Sequence, residues 1–231
     1  MIYEIYSYLG NTDKRRLRQT STKYPIQFKE KEILEELIED GYAIPEKYYP
    51  TNVELIVKYG RLDLVKKIKF KLWCLLAARY GQLEILKWAH ENNYSWDRFA
   101  CHEAAKGHLT CLKYLHEHGC PWNVSTCIHA AEGHLHCLKY LHENGCEWDS
   151  NTCSAAAKGH LDCLTYITVK YLHENGCDWD LNTCENAARG HLACLKYAHE
   201  NGCPWDKWTY WYASNYPDCL NYVQKNGCPQ D

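Results

Sequence analysis

His116 and Cys120 stand four residues apart, and the pairing returns at His142/Cys146, His173/Cys177 and His199/Cys203. Imidazole and thiolate are common zinc ligands, and thiols are also redox-active nucleophiles. A metal site or thiol chemistry is therefore the first function these residue types suggest. Their placement argues against it. Gly119 and its equivalents Gly145, Gly176 and Gly202 end a helix between the two ligands, and no Cys-x-x-Cys pair completes a tetrahedral site. His116-Glu117 and its copies lack the second histidine of a His-Glu-x-x-His motif. Neither Gly-x-Ser-x-Gly nor a glycine-rich phosphate loop occurs. A catalytic side chain is placed once, by a unique surround, whereas here His and Cys recur in the same slot of unit after unit. The pattern predicts no enzyme, no metal and no other cofactor; a Cys/His metal-binding protein is the alternative.

What recurs is a short unit. Gly-His-Leu occurs at Gly107-His108-Leu109, Gly133-His134-Leu135, Gly159-His160-Leu161 and Gly190-His191-Leu192, at steps of 26, 26 and 31 residues. Looser copies, Gly60-Arg61-Leu62 and Gly81-Gln82-Leu83, precede them. Written once, the unit reads Trp-Asp-x-x-Thr-Cys-x-x-Ala-Ala-x-Gly-His-Leu-x-Cys-Leu-Lys-Tyr-Leu-His-Glu-Asn-Gly-Cys-Pro. Each copy predicts two helices. Asp149 is placed to cap a short helix through Lys158, which Gly159 ends by adopting positive φ. The second helix of the preceding unit runs from about Leu135 to Asn144 and stops at Gly145. Leu135, Cys137, Leu138 and Leu141 share one face, and Lys139 and Glu143 point away. No alternating strand pattern is present. Helix pairs that cover one another's apolar faces predict an all-α solenoid of stacked helix-turn-helix units.

These residues carry a family resemblance. Gly107-His-Leu-Thr-Cys-Leu-Lys-Tyr-Leu-His-Glu-His-Gly-Cys-Pro-Trp-Asn123 resembles, without gaps, the second-helix half of the ankyrin repeat. That family's pattern there is Gly-His-Leu-Glu-Val-Val-Lys-Leu-Leu-Leu-Glu-x-Gly-Ala-Asp-Val-Asn. Thr126-Cys-Ile-His-Ala-Ala131 is similar to the family's Thr-Pro-Leu-His-Leu-Ala-Ala. The family repeat is about 33 residues long, so about seven are missing here, mostly where its β-turn finger would lie. The fingers are expected to be shortened or absent. The resemblance covers about residues 52–228. The His-Glu-Asn-Gly-Cys-Pro-Trp-Asp flavour resembles the ankyrin proteins of giant DNA viruses and their amoebal hosts. It implies protein–protein binding, along first helices that line a concave surface.

The amino-terminal segment departs from the unit. Ile2, Ile5, Tyr8 and Leu9 form a short helical face, followed by Asn11-Thr-Asp13 and Arg15-Arg16-Leu17-Arg18-Gln19-Thr20-Ser21. That order resembles the first part of an F-box, although the usual Leu-Pro opening and the third helix with its Trp are missing. The resemblance implies docking to a Skp-type adaptor of a cullin-type ubiquitin ligase, and hence a viral adaptor that delivers a captured host target. The alternative is an amphipathic cap on the open end of a stand-alone ankyrin interaction module. The expected organisation is an F-box-like or capping segment over 1–28 and a repeat array over 29–231. Within the array, 29–95 is degenerate, 96–204 regular and 205–231 a cap. The unit starting at Gly159 carries five extra residues around Thr165–Val169. Five residues turn a helix by about 140°, so a lengthened or interrupted helix, and a kink in the stack, are expected there.

Most of the cysteines fall in three registers. Cys101, Cys127, Cys153 and Cys184 sit in first helices, Cys111, Cys137, Cys163 and Cys194 in second helices, and Cys120, Cys146, Cys177 and Cys203 in loops. Each replaces a small apolar residue, which predicts burial as core thiols. His116, His142, His173 and His199 lie at the edge of the second helix's apolar face, which predicts half-buried histidines. Trp96, Trp122, Trp148, Trp179 and Trp205 predict a peripheral ladder of stacked rings. The positions that vary between copies identify the candidate binding strip. They are Arg98, Phe99, His102 and Glu103; Val124, Ser125, Ile128 and His129; Ser150, Asn151, Ser154 and Ala155; Leu181, Asn182, Glu185 and Asn186; and Lys207, Trp208, Trp211 and Tyr212. They share the first-helix face opposite Cys101, Ala104 and Ala105, and the aromatic carboxyl-terminal set exposes the most apolar area.

Composition narrows the partners. With 26 Lys+Arg against 29 Asp+Glu, the net charge of −3 provides no footprint for nucleic acid or an anionic membrane. The 231 residues can bury a core without crosslinks, and 15 cysteines, an odd number, do not suggest a disulfide framework. The start has no basic, apolar leader and no apolar stretch is long enough to span a membrane, so a monomeric intracellular, cytoplasmic protein is expected. If viral, its site is the host cytoplasm.

Overall fold

The computed structural model describes residues 52–174 and 179–230, with side chains over 52–168 and 179–230. The F-box-like residues Ile2, Ile5, Tyr8, Leu9 and Leu17, and the side chains of His173 and Cys177, lie outside them. The chain divides into two compact units between Ser95 and Trp96. The first contains α1 (Val53–Lys58), α2 (Leu62–Val65), α3 (Trp73–Arg79) and α4 (Leu83–Glu91). α1 packs on α2 and α3, and α4 on α2 and α3.

The second unit contains five further pairs. They are α5 (Arg98–Ala105) with α6 (Leu109–Glu117), α7 (Val124–Ala131) with α8 (Leu135–Glu143), and α9 (Ser150–Ala156) with α10 (Leu161–Glu174). α11 (Leu181–Ala187) with α12 (Leu192–Glu200) and α13 (Lys207–Ala213) with α14 (Pro217–Lys225) complete it. The first helices α5, α7, α9, α11 and α13 pack on one another in order, and so do the second helices. All described elements are helices, and within this unit the stacked pairs form the expected all-α solenoid.

The Trp-Asp-x-x-Thr signature is a capping device. Asp149 sits at the N-cap of α9, its carboxylate accepting the Thr152 N–H at 3.3 Å, while the Asp149 N–H donates to Thr152 Oγ1 at 3.4 Å. Asn123 and Thr126 form the same reciprocal box on α7. Such a cap is worth about 1 kcal/mol, and it lets Thr126 and Thr152 be fully buried with their hydroxyls satisfied. α9 ends at Ala156, two residues before the expected Lys158, and Gly159 follows with φ 114°.

The Gly-His pair works between repeats. A Cβ on Gly133, whose φ is +105°, would stand 2.8 Å from His160 Nδ1, and one on Gly159 the same distance from His191 Nδ1. Each imidazole thus lies over the preceding repeat's glycine. In the terminal repeat, where Gly-His-Leu is lost, Tyr216 takes the histidine's place over Gly190.

Between the two rows of helices runs the core. Leu112, Leu115, Leu138, Leu141, Leu164 and Ile167 are fully buried, each worth about 1.5–3 kcal/mol. Ala104 and Ala105, with their equivalents, bring the first helices close. The five-residue insertion produces a lengthened helix without interruption: α10 has 14 residues where α8 has 9. The first helices on either side of it, α9 and α11, pack directly on each other.

Candidate functional site

The strip residues divide by their position in the first helix. Those in the first turn face outward: Arg98, Phe99, Asn151, Leu181, Asn182, Lys207 and Trp208 are exposed, and Val124, Ser125 and Ser150 half-buried. The next turn is drawn toward the following first helix. His102 is only 7% exposed, its Nε2 3.1 Å from Asn123 Oδ1 and its ring 5.6 Å from His129. Burial pushes its pKa down, and the neighbouring charges of His129 and Arg98 act in the same direction. Ser154 is likewise 7% exposed and its hydroxyl accepts Asn186 Nδ2 at 2.8 Å. His102, Ser154 and the buried Ala155 are therefore spacers between first helices, removed from the open surface. Glu103, Ile128, His129, Glu185 and Asn186 are half-buried beside them. Burial raises the Glu185 pKa, reinforced by Asp206.

The carboxyl-terminal end of the strip is the most apolar. Trp208 and Trp211 are 51% and 57% exposed, with their rings 6.3 Å apart edge to face. Tyr212 is half-buried 4.1 Å beneath the Arg189 guanidinium. Phe99 and Leu181 are the other exposed large apolar side chains of the described first helices. The outer positions of the second helices, by contrast, carry exposed Lys113, Glu117, Glu143, Lys196 and Glu200.

The histidine and tryptophan registers form repeated aromatic clasps. His116 stacks on Trp122 at 3.8 Å and its Nδ1 lies 2.9 Å from the Tyr140 hydroxyl of the next repeat. His142 repeats this with Trp148 and Tyr166, and His199 with Trp205 and Tyr222. The expected ladder of tryptophans on tryptophans is thus replaced by tryptophan on histidine. The tyrosine that joins repeat to repeat was not singled out from the sequence. Its signal was a tyrosine recurring 23 or 24 residues after the histidine it meets, as Tyr140, Tyr166 and Tyr222.

All fourteen described cysteines are free and buried. No group of three or more His, Cys, Asp or Glu side chains that could hold a metal ion occurs among the described residues. No helix among them is long and apolar enough to cross a membrane.

A family model described as Ankyrin repeats (3 copies) matches residues 74–152. That segment consists of ankyrin repeats. The helix pairs beyond it, from α10 to α14, continue the same capping, glycine and clasp positions. No curated protein matches the sequence. Among solved structures, the pentatricopeptide repeat protein PPR10 in complex with an 18-nt psaJ RNA element is similar at 15% identity and a TM-score of 0.43, over 82% of this chain and 35% of that one. A form of that protein with Cys-to-Ser substitutions, also bound to the RNA element, matches with the same values. This chain thus spans about a third of the length of those chains. Ankyrin repeats are a protein-interaction architecture, and the exposed ends of their first helices are the part of this chain that varies from repeat to repeat.

Proposed function

We propose that the chain is a non-enzymatic protein-interaction scaffold that grips its partner along the first-helix strip. The observation that carries this reading is the uneven distribution of exposed apolar side chains. Four of the six exposed large apolar side chains among the described residues, Phe99, Leu181, Trp208 and Trp211, lie on first helices, Leu72 and Tyr216 standing at helix N-caps, whereas the outer face of the second helices carries charged residues. Large aromatic anchors supply most of the energy of protein interfaces. The grip is centred on Trp208 and Trp211, with Phe99, Leu181 and the polar residues around them as rim.

Affinity purification compared across variants tests it. Replacing Trp208 and Trp211 by Ala reduces partner recovery at least about tenfold, since two anchors are worth 2 kcal/mol or more. Replacing Lys113 and Glu117 by Ala leaves recovery unchanged. Equal losses in both variants would overturn the strip.

The finer reading is that residues 1–24 dock a Skp-type adaptor, so that a target held on the strip is presented to a cullin-type ubiquitin ligase; in a viral setting the target is a host cytoplasmic protein. The pattern from Ile2 to Ser21 supports it. A pull-down with the adaptor is expected to succeed and to fail with Leu9→Asp/Leu17→Asp. No binding by the parent chain leaves a stand-alone interaction module.

A further inference from the structure

The fold brings together cysteines that stand 19 residues apart in sequence. Cys101 Sγ lies 3.8 Å from the carbonyl oxygen of Cys120, Cys127 Sγ 3.9 Å from that of Cys146, and Cys184 Sγ 3.9 Å from that of Cys203. Within each pair the two thiol groups also act on each other electrostatically. One thiol comes from a first helix (α5, α7 or α11) and the other from the loop that closes the same repeat.

The loop thiol is held on two sides. Cys120 Sγ donates to the carbonyl of the N-cap residue Asp97 at 3.2 Å, Cys146 Sγ to that of Asn123 at 3.4 Å, and Cys203 Sγ to that of Asp180 at 3.6 Å. The backbone is anchored as well: the Cys120 N–H donates to Leu115 O at 2.9 Å, and Cys146 and Cys203 repeat the bond. The first-helix cysteines are fully buried, whereas Cys120, Cys146 and Cys203 keep 3–4% exposure, so the loop residue is the one nearer solvent.

We propose that these three pairs are dithiol modification sites, which a peroxide-class oxidant converts to disulfides inside each repeat. The loop thiolate attacks one peroxide oxygen; the O–O bond breaks, an S–O bond forms, and hydroxide leaves. That hydroxide takes the proton of the first-helix thiol and becomes water. The resulting thiolate displaces hydroxide from the sulfenic sulfur, forming the S–S bond, and the proton given up by the loop thiol completes the second water. Two sulfurs lose two electrons and the peroxide gains them. Cys120 and Cys146 suit the first step, because the neighbouring first-helix thiol holds each below the ordinary thiol range. Cys101 and Cys127 are pushed far up by the neighbouring loop cysteine and by burial, and act second. In the third pair, of the same geometry, the order is reversed: the Cys184 thiol and burial push Cys203 up, so Cys184 attacks the peroxide and Cys203 acts second. Each disulfide would tie a strip-bearing helix to the loop of its own repeat.

Two further cysteines occupy one half of the same arrangement. Cys74 Sγ lies 3.4 Å from Tyr94 O, with Tyr94 in the loop slot; Cys228 Sγ donates to Asp206 O at 3.3 Å, with Tyr210 in the first-helix slot. They serve as internal controls.

The test treats the reduced full-length protein with hydrogen peroxide, alkylates the remaining thiols under denaturing conditions and maps the peptides by mass spectrometry. The expected result is three linked peptides, Cys101–Cys120, Cys127–Cys146 and Cys184–Cys203, each two hydrogens lighter than its components, in protein that remains monomeric. Cys74 and Cys228 are recovered alkylated. C101S abolishes the first link and leaves the other two, whereas Y210C adds a link to Cys228. Scrambled links, cross-linked dimers, recovery of the six thiols as oxygen adducts, or their complete alkylation after treatment would each overturn the proposal.

Discussion

The glycine of Gly-His-Leu has two separate jobs, and they can be measured apart. Gly133 needs its positive φ to turn the chain between α7 and α8, and it needs a bare Cα because His160 of the next repeat lies against it. Gly133→Ala is expected to cost about 1 kcal/mol for the backbone conformation and more for the contact. His160→Ala in the same chain removes only the second part, so a double-mutant cycle read by urea denaturation should show a coupling of about 0.5 kcal/mol or more. Additive losses would mean that the ring simply moves aside. A second residue-scale expectation concerns His102, and His134 behaves alike. Burial holds both imidazoles below their usual pKa, so the unfolded chain binds protons that the folded chain refuses. Stability is therefore fully present at neutral pH and falls as pH drops below about 6.5. His102→Gln, measured by the urea midpoint from pH 7 to pH 5, should flatten that decline, and an unchanged slope would refute the assignment.

At the scale of elements, α10 shows how a repeat absorbs an insertion. Tyr166 stands in the slot of Tyr140, its hydroxyl 3.2 Å from His142 Nδ1, and Leu164 and Ile167 fill the core. Residues 161–167, which reach into the segment expected to be the insertion, thus keep register with the preceding repeat. The helix then runs on as far as Glu174. Deleting residues 165–169 restores Leu161-Asp-Cys-Leu-Lys-Tyr-Leu-His-Glu, the sequence order of the shorter second helices. The shortened chain is expected to fold with an unchanged helical spectrum per residue and a melting temperature equal to or above that of the parent, since Tyr171 would inherit the clasp. A drop of more than about 3 °C, roughly 1 kcal/mol for a chain of this size, would show that the longer helix makes contacts the array depends on.

For the molecule as a whole, stability resides in the neighbour-to-neighbour contacts of the stack, so the ends matter most. The pair α13–α14 packs on the repeat before it, α13 on α11 and α14 on α12, and that repeat's Ala187, Cys194, Leu195 and Ala198 are at most 1% exposed. Removing residues 205–231 is expected to lower the melting temperature and to make the remainder prone to aggregation, read by scattering on heating. Removal of α13 also takes away Trp208 and Trp211, so lost binding and lost stability must be scored separately. Much of this architecture was legible in the sequence alone: the period, the helix pair, the Asp149 cap and the burial of the cysteines are local or periodic properties. Spacing by itself dictates them, because a face repeated at helical intervals has to be covered by its neighbour. What only the tertiary structure decided are the contacts between copies. The tryptophans meet histidines instead of one another, His102 and Ser154 become spacers while Phe99 and Trp208 stay open, and Cys101 Sγ comes within 3.8 Å of the Cys120 carbonyl oxygen. These depend on how one helix pair is rotated and shifted on the next. That geometry follows from side-chain packing across the stack and leaves no mark in the spacing of a single copy.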